Sequence, residues 1–261
     1  ADPKRLTPYE GVLSPETVAM VHDDADREPY SASRLETYAA CGFKYYMQRV
    51  LDIDAPDSLT PEPDAGERGT YIHDVLEHYY LALQSSIGEP VAPGGDFETR
   101  QRQLLSVALD RLETAFSTAG ETAFQHYWLT TVLAGLGSPA ENDYYGPDRE
   151  SADGRPVARG LLYRFLEHEF DDIAKTTAQP AWFEGRVGTP YDAGTPLQDA
   201  PAEIETPHGS VPVHGLIDRI DVVPGTTPTQ LVVRDYKTGY STPSESDSLL
   251  GTSFQLPLYA L

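Results

Sequence analysis

The sequence predicts a mixed α/β domain carrying a helical insertion. Three observations carry this. Residues 31–175 hold several apolar stripes at helical spacing, residues 176–237 switch to short alternating runs, and helical spacing resumes near Ser248. With 39% apolar residues and 10% aromatics, the chain of 261 residues has the means for a packed core. Its length allows one large domain or two small ones.

In chain order, residues 1–30 are polar and rich in Pro and Asp, and read as an extended arm or linker. Ser33 with Glu36 three residues on has the form of a capping box, ahead of Leu35, Tyr38, Ala39 and Phe43. Residues 51–68 read as a Pro- and acid-rich loop. A helix over about Thr70–Gln84 follows from Ile72, Val75, Leu76, Tyr79, Tyr80 and Leu83, which fall on one face. Further helices are predicted over Arg100–Ser117 (Leu104, Leu105, Ala108, Leu109, Leu112, Phe116), Ala123–Gly135 and Ala158–Ala174, with loops at 85–97 and 137–156. Ala181–Val187 alternates as a strand does. Glu203–Thr206 and Val211–Val223 form a hairpin around Pro207-His208-Gly209-Ser210, and Gln230–Lys237 is a further β-rich run. Both ends read as cuts from a longer protein, since no Met opens the chain and an apolar helical pattern closes it.

The net charge is −22, from 41 acids against 15 Arg and 4 Lys. Taken alone, it argues against a nucleic-acid partner, because phosphates seek cations. Abundant Asp, scarce Lys and an isoelectric point near 4.5 also describe a protein adapted to very high salt, where the Debye length shrinks to about 3 Å at 1 M and surface repulsion costs little. No stretch approaches the roughly 20 apolar residues of a membrane span, and no signal-peptide pattern opens the chain. The single cysteine excludes a disulfide framework within the chain and fits a reducing interior.

The chemistry concentrates in Gly215-Leu-Ile-Asp218-Arg219-Ile-Asp221 and Arg234-Asp235-Tyr236-Lys237-Thr238-Gly239. Period-two alternation puts Asp235 and Lys237 on one side of their strand. Pairing with the preceding strand would bring the Asp218 carboxylate beside that of Asp235. Two close carboxylates repel, and a divalent cation relieves the repulsion. Mg²⁺ favours one or two carboxylates with water and phosphate oxygens. Lys237 would then orient an attacking water or stabilise developing charge, a combination suited to cutting a phosphodiester. The competing reading of an Asp-x-Lys triplet is an ion-paired strand end. His73 lies on the Thr70–Gln84 helix, available to a metal or a phosphate. Gln255 and Tyr259, at i,i+4 on the last helix, are available to a strand of nucleic acid. Glu184 on the first strand is a weaker candidate. His73, Glu77 and His78 would be the basis of a zinc hydrolase, but their spacing matches neither H-E-x-x-H nor H-x-x-E-H.

In order, Tyr30-Ser-Ala-Ser-Arg-Leu-Glu36, Cys41-Gly-Phe-Lys-Tyr-Tyr46, Gly69-x-x-x-His73, Gly215-x-x-Asp218-Arg219-x-Asp221, Asp235-Tyr-Lys-Thr-Gly239 and Gln255-x-x-x-Tyr259 resemble the motifs of the RecB-like branch of the PD-(D/E)xK nuclease superfamily, which includes AddB-type helicase–nucleases. The resemblance implies a restriction-endonuclease-like core with a mixed central sheet flanked by helices, occupying residues 31–261. Residues 31–175 would be its mainly helical part and 176–261 the sheet core with the catalytic motifs. It implies a Mg²⁺- or Mn²⁺-dependent deoxyribonuclease, an exonuclease rather than an endonuclease, acting on DNA in recombination or repair beside a helicase subunit or domain; the acidic, Lys-poor composition adds the expectation of a high-salt archaeal cytoplasm. Asp218, Asp235, Lys237, His73, Gln255 and Tyr259 would form the active site. His73, Asp218, Asp235 and the backbone carbonyl of Tyr236 would hold the metal. Cys41 matches the first of four cysteines that hold a [4Fe–4S] cluster in many members. The other three do not occur before Leu261, so a cluster is an expectation for a longer protein only. The alternative function is a DNA-binding or scaffolding module of the same fold without turnover.

Overall fold

The computed structural model describes residues 14–17, 19, 29–53, 65–88, 90–91, 95–116, 149–150, 156–157, 161–188, 195–207, 209–237, 246–247 and 253–259. In chain order these form β1 (Tyr30–Ser31), α1 (Ala32–Ala40), α2 (Gly42–Tyr45), a π-helical turn (Tyr46–Val50), α3 (Ala65–Ile87) and α4 (Phe97–Phe116). A small pair β2 (Arg149–Glu150) and β3 (Pro156–Val157) precedes α5 (Leu161–Thr176). Then come β4 (Gln179–Val187), β5 (Thr195–Gln198), β6 (Ala202–Thr206), β7 (Gly209–Val223), β8 (Gln230–Arg234) and α6 (Gln255–Tyr259). The main sheet is mixed and six-stranded, in the order β1-β7-β4-β5, with β6 and β8 also pairing with β7. The α/β class read from the sequence is therefore the class observed. Among the described residues no helix is long and apolar enough to cross a membrane.

The chain divides into two units: Ala1–Asp57 with Glu184–Ile217 and Thr242–Leu261, and Ser58–Phe183 with Asp218–Ser241. In the first, β6 and β7 make the predicted hairpin, with Thr206 opposite Gly209 and Ala202 opposite Val213. β1 runs parallel to β7 at Val213–His214, and β5 runs parallel to β4 from Gly185. β5 has no counterpart in the sequence reading, because Thr195-Pro-Leu-Gln198 shows no alternation and three of its four residues are exposed.

The capping box does not form as read. The N-cap of α1 is Ser31, whose hydroxyl accepts the Arg34 N–H at 3.2 Å. Glu36 is used elsewhere: its Oε1 accepts the N–H of Phe254 at 2.7 Å and of Gln255 at 3.3 Å, satisfying the start of α6. The apolar stripe of this region fails as well, since Tyr38 and Phe43 are exposed. The reason is a break: α1 stops at Ala40, extended Cys41 caps α2, and the face that one continuous helix would have buried is rotated away.

In the second unit the 3,4 pattern of α3 holds. Ile72, Val75, Leu76, Tyr79, Tyr80 and Leu83 are all buried, together with Tyr71. They pack with Leu104 and Ala108 of α4, Leu162 and Leu166 of α5, and Phe183, whose ring stacks on Tyr80 at 4.8 Å. Each large apolar side chain so buried contributes about 1.5–3 kcal/mol. Leu109, predicted as core, is exposed on α4, where the stripe is narrower than the sequence suggests. α3 also begins inside the predicted 51–68 loop, at Ala65. Within the predicted 137–156 loop, Arg149 and Glu150 pair antiparallel with Val157 and Pro156. The helix predicted over Ala123–Gly135 lies outside the described residues. Near Ser248, residues 246–247 are helical and 248–252 are not described; the next helix is the short α6.

Candidate active site

α3 positions the first side chain. Its apolar stripe faces the core, so His73, beside the stripe, sits at the boundary with a side chain 29% exposed. Two contacts fix the rotation of α3 against α4. The Tyr71 hydroxyl donates to the Ala108 carbonyl at 2.6 Å, and Arg111 grips Asp74 through two bonds of 2.6 and 2.8 Å.

The β7–β8 hairpin positions the rest. Its antiparallel register sets Arg219 opposite Arg234, the last ladder pair before Asp218 on one strand and Asp235 on the other. β8 ends at Arg234 and does not run to Lys237 as predicted. The cause is local: the Tyr236 N–H donates to the Asp218 carboxylate at 2.6 Å, so a side chain takes the place of the ladder. The Tyr236 carbonyl then lies 3.1 Å from His73 Nε2, while His73 Nδ1 lies 3.6 Å from Asp218 Oδ1. A neutral imidazole has one N–H and one lone pair. With its proton on Nε2 toward Tyr236, it directs the Nδ1 lone pair at the Asp218 oxygen. An imidazole nitrogen and a carboxylate oxygen, both Lewis bases, then face each other beyond hydrogen-bonding distance. That donor set fits a divalent cation. The Tyr236 carbonyl, with two lone pairs, is compatible with the same role.

Lys237 Nζ meets Asp235 Oδ2 at 2.7 Å, and the Asp235 side chain is only 6% exposed. The two therefore share one side of the chain, as read from the sequence. Their pairing is also what a plain ion pair would show.

The other face of β7 carries a network the sequence reading left without a role. Arg219, fully buried, donates to both oxygens of Asp221 at 2.5 and 2.8 Å, to Glu169 of α5 at 2.7 Å and to the Tyr80 hydroxyl at 2.6 Å. Its guanidinium lies over the Tyr80 ring, and it reaches the Tyr236 hydroxyl at 3.4 Å. Tyr80 also donates to Glu169. Arg234 binds Asp221 at 2.6 Å and pairs with Asp172. Burial by itself would lower the Arg219 pKa. The surrounding Tyr80, Tyr236, Asp221 and Glu169 overturn that and hold the guanidinium well above its ordinary value. Burial raises the Tyr80 and Tyr236 phenols, so both stay neutral. Tyr236 is thus held at both ends, its hydroxyl by this network and its backbone by Asp218. The Gly-x-x-Asp-Arg-x-Asp spacing was the signal for it: period two puts Arg219 and Asp221 on the face opposite Asp218.

Gln255 and Tyr259 belong to the first unit. There the Tyr259 ring covers Gly215 so closely that a Cβ at Gly215 would lie 2.8 Å from it, which accounts for the glycine. Glu184 is also in the first unit, with a left-handed φ of 45° that non-glycine residues seldom adopt. Cys41 is exposed, and its sulfur accepts the Lys44 N–H at 3.5 Å. His73 does not join Glu77 and His78. Those two group with Asp74, whose two oxygens are held by Arg111, and a guanidinium there disfavours a second cation.

The PD-(D/E)XK nuclease superfamily model matches residues 29–261. The chain is 27% identical over 248 residues to an ATP-dependent helicase/deoxyribonuclease subunit from Streptococcus uberis, covering 95% of this chain and 17% of that protein. It is 25% identical over 233 residues to the subunit of the same name from Carboxydothermus hydrogenoformans, covering 88% of this chain and 18% of that protein. The chain thus spans about a sixth of the length of these relatives. With the family model running over nearly all of the described core, the chain belongs to the PD-(D/E)XK nuclease superfamily.

Proposed function

We propose that the chain is the nuclease domain, residues 31–261 behind an arm of residues 1–30, of a divalent-metal-dependent deoxyribonuclease that works in DNA recombination and repair. The observation that carries this reading is the convergence of His73, Asp218 and both backbone polar groups of Tyr236 at the end of the β7–β8 hairpin. His73, Asp218, Asp235 and the Tyr236 carbonyl would hold Mg²⁺ or Mn²⁺. When bound, the ion supplies Lewis-acid polarisation of the phosphate and charge neutralisation.

The protein's own groups do the rest. Asp218 fixes the Tyr236 amide and so the direction of the Tyr236 carbonyl. Asp235 steers the Lys237 ammonium, which orients the attacking water and stabilises negative charge on the phosphate as one P–O bond forms and another breaks. Gln255 and Tyr259 contact the DNA strand. The preferred mode is exonucleolytic. A helicase subunit or domain is the partner, as the names of the two relatives suggest.

The chain's one thiol does not by itself fit an iron–sulfur cluster, which takes about four. Cys41 as one ligand of a [4Fe–4S] cluster is a proposal for the full-length protein, tested by its iron content with and without Cys41→Ser. The acidic surface is taken as adaptation to a high-salt cytoplasm. There counterion release contributes little and short-range contacts carry DNA affinity.

The test is cleavage of single- and double-stranded DNA with Mg²⁺ or Mn²⁺ in molar KCl, against Asp235→Ala and Lys237→Ala. Wild-type cleavage that both variants lose supports the reading. Equal activity in all three overturns it.

A further inference from the structure

Arg234 is the last residue of β8, and Asp172 lies near the end of α5. Their ion pair has no part in the chemistry described so far. Arg234 Nε donates to Asp221 at 2.6 Å, and one of its terminal nitrogens donates to Asp172. Asp172 is itself braced on α5, where the Thr176 hydroxyl donates to its carbonyl at 3.0 Å and lies 3.4 Å from its carboxylate. One guanidinium thus ties the end of β8 to β7 in one direction and to α5 in another.

Neutralising Asp221 does not account for Arg234. Both Asp221 oxygens already accept from Arg219, at 2.5 and 2.8 Å. Arg219 also stands directly opposite Arg234 in the ladder, and like charges so placed in a sheet repel. What the second arginine adds is a tether, and β8 has need of one. None of its five residues is fully buried, and among the described residues it pairs with β7 alone. The ladder ends at Arg234, and Asp235 follows directly. Beyond Asp235, the Tyr236 N–H is held by Asp218. Asp235 therefore lies between two anchored residues.

We propose that Asp172 and Arg234 are positioning residues for the metal site, Asp172 orienting the Arg234 fork and Arg234 fixing the backbone from which the Asp235 carboxylate projects. Successive side chains of an extended strand point to opposite faces, so Arg234 acts on Asp235 through the backbone and not by contact. Groups that orient a metal ligand in this way alter metal affinity or activity about 10–100-fold without touching the ion. Lys237 depends on the same placement, because it pairs with Asp235. The proposal rests on the nuclease reading for the metal, and adds which residues keep its Asp235 ligand in place.

The test compares the full chain in molar KCl with Asp172→Ala, Arg234→Lys, the double variant and Asp235→Ala. Mn²⁺ affinity is read by titration calorimetry, and kcat and KM for DNA cleavage at a fixed Mg²⁺ concentration, beside the melting temperature of each. Asp172 is partly exposed, so its loss should leave the fold intact. Arg234→Lys keeps the charge and loses the fork. Each single variant should bind Mn²⁺ about tenfold more weakly and lose about tenfold in kcat, with KM for DNA within twofold of wild type. The double variant should lose no more than Arg234→Lys alone, because Asp172 acts through Arg234. Mn²⁺ affinity and kcat within twofold of wild type in both single variants overturn the proposal. So do losses that add in the double variant, or losses that vanish on cooling, which would mark the pair as a support of the fold only. The nuclease reading fails separately, through Asp235→Ala cleaving DNA as well as wild type does. Wild-type chain that neither binds Mn²⁺ nor cleaves DNA overturns both.

Discussion

Asp218 and Arg219 are neighbours on β7, but the pleat sends them to opposite faces and into opposite surroundings. Arg219 is fully buried and meets two carboxylates, two phenols and an aromatic face. Its charge is matched by rigid partners, and such a group anchors structure. Asp218 is nearly as buried and meets a backbone N–H and an imidazole. A carboxylate in that setting retains affinity for a cation, and such a group suits chemistry. One strand thus separates a structural face from the proposed reactive one by a single residue. Tyr236 touches both, through its hydroxyl on one side and its backbone on the other.

Mutations should split along that line. The largest effect on the reactive face is expected from Asp218→Asn. Cleavage should fall about 10³-fold or more, equivalent to roughly 4 kcal/mol of transition-state stabilisation, with urea unfolding shifted by no more than about 1 kcal/mol. On the structural face, Arg219→Ala leaves Glu169 and Asp221 buried without their cation. It should cost about 3–5 kcal/mol in unfolding free energy. Arg219→Lys restores the charge but not the two-pronged geometry and should recover only part of this. A large stability loss in Asp218→Asn, or none in Arg219→Ala, would break the division.

Smaller changes sharpen it. Tyr236→Phe removes the hydroxyl contact with Arg219 and keeps the backbone groups. It should cost about 0.5–1.5 kcal/mol of stability with cleavage within a few-fold of wild type. The buried phenols also set a pH dependence. Their folded pKa values lie above the unfolded value of about 10, so the unfolded chain releases protons first as pH rises. Stability is therefore full below about pH 10 and is lost above it, and Tyr236→Phe should flatten that decline in urea titrations between about pH 8 and 11. The smallest effect is expected from Arg111→Ala at the α3–α4 contact, up to about 1 kcal/mol, because that pair is partly exposed.

The elements that were legible in the sequence are those whose side chains repeat with their own period. α3 shows this best: every apolar position of its 3,4 pattern is buried. The β6–β7 hairpin was legible from alternation around a turn. The break between α1 and α2 was not, because Leu35, Tyr38, Ala39 and Phe43 read as one apolar stripe until Cys41 turns the chain. Nor was the end of β8, since Asp235-Tyr-Lys continues the strand pattern and only the Asp218 carboxylate, 17 positions before Asp235 in the sequence, ends the ladder. Of the site, the residue types and their order were readable. Which groups meet was not.

The sequence alone determined the α/β class, the apolar face of α3 and the pleat that parts Asp218 from Arg219, because each follows from a local period of 3.6 or 2. It also carried the ordered motifs by which the family is recognised. The tertiary structure decided the rest: Glu36 at the start of α6, the Tyr236 amide on Asp218, its carbonyl on His73, and Glu169 and Tyr80 around Arg219. Those pairings join residues far apart in the chain. A buried polar group accepts whichever partner the packed core brings within reach, and no local pattern encodes that choice.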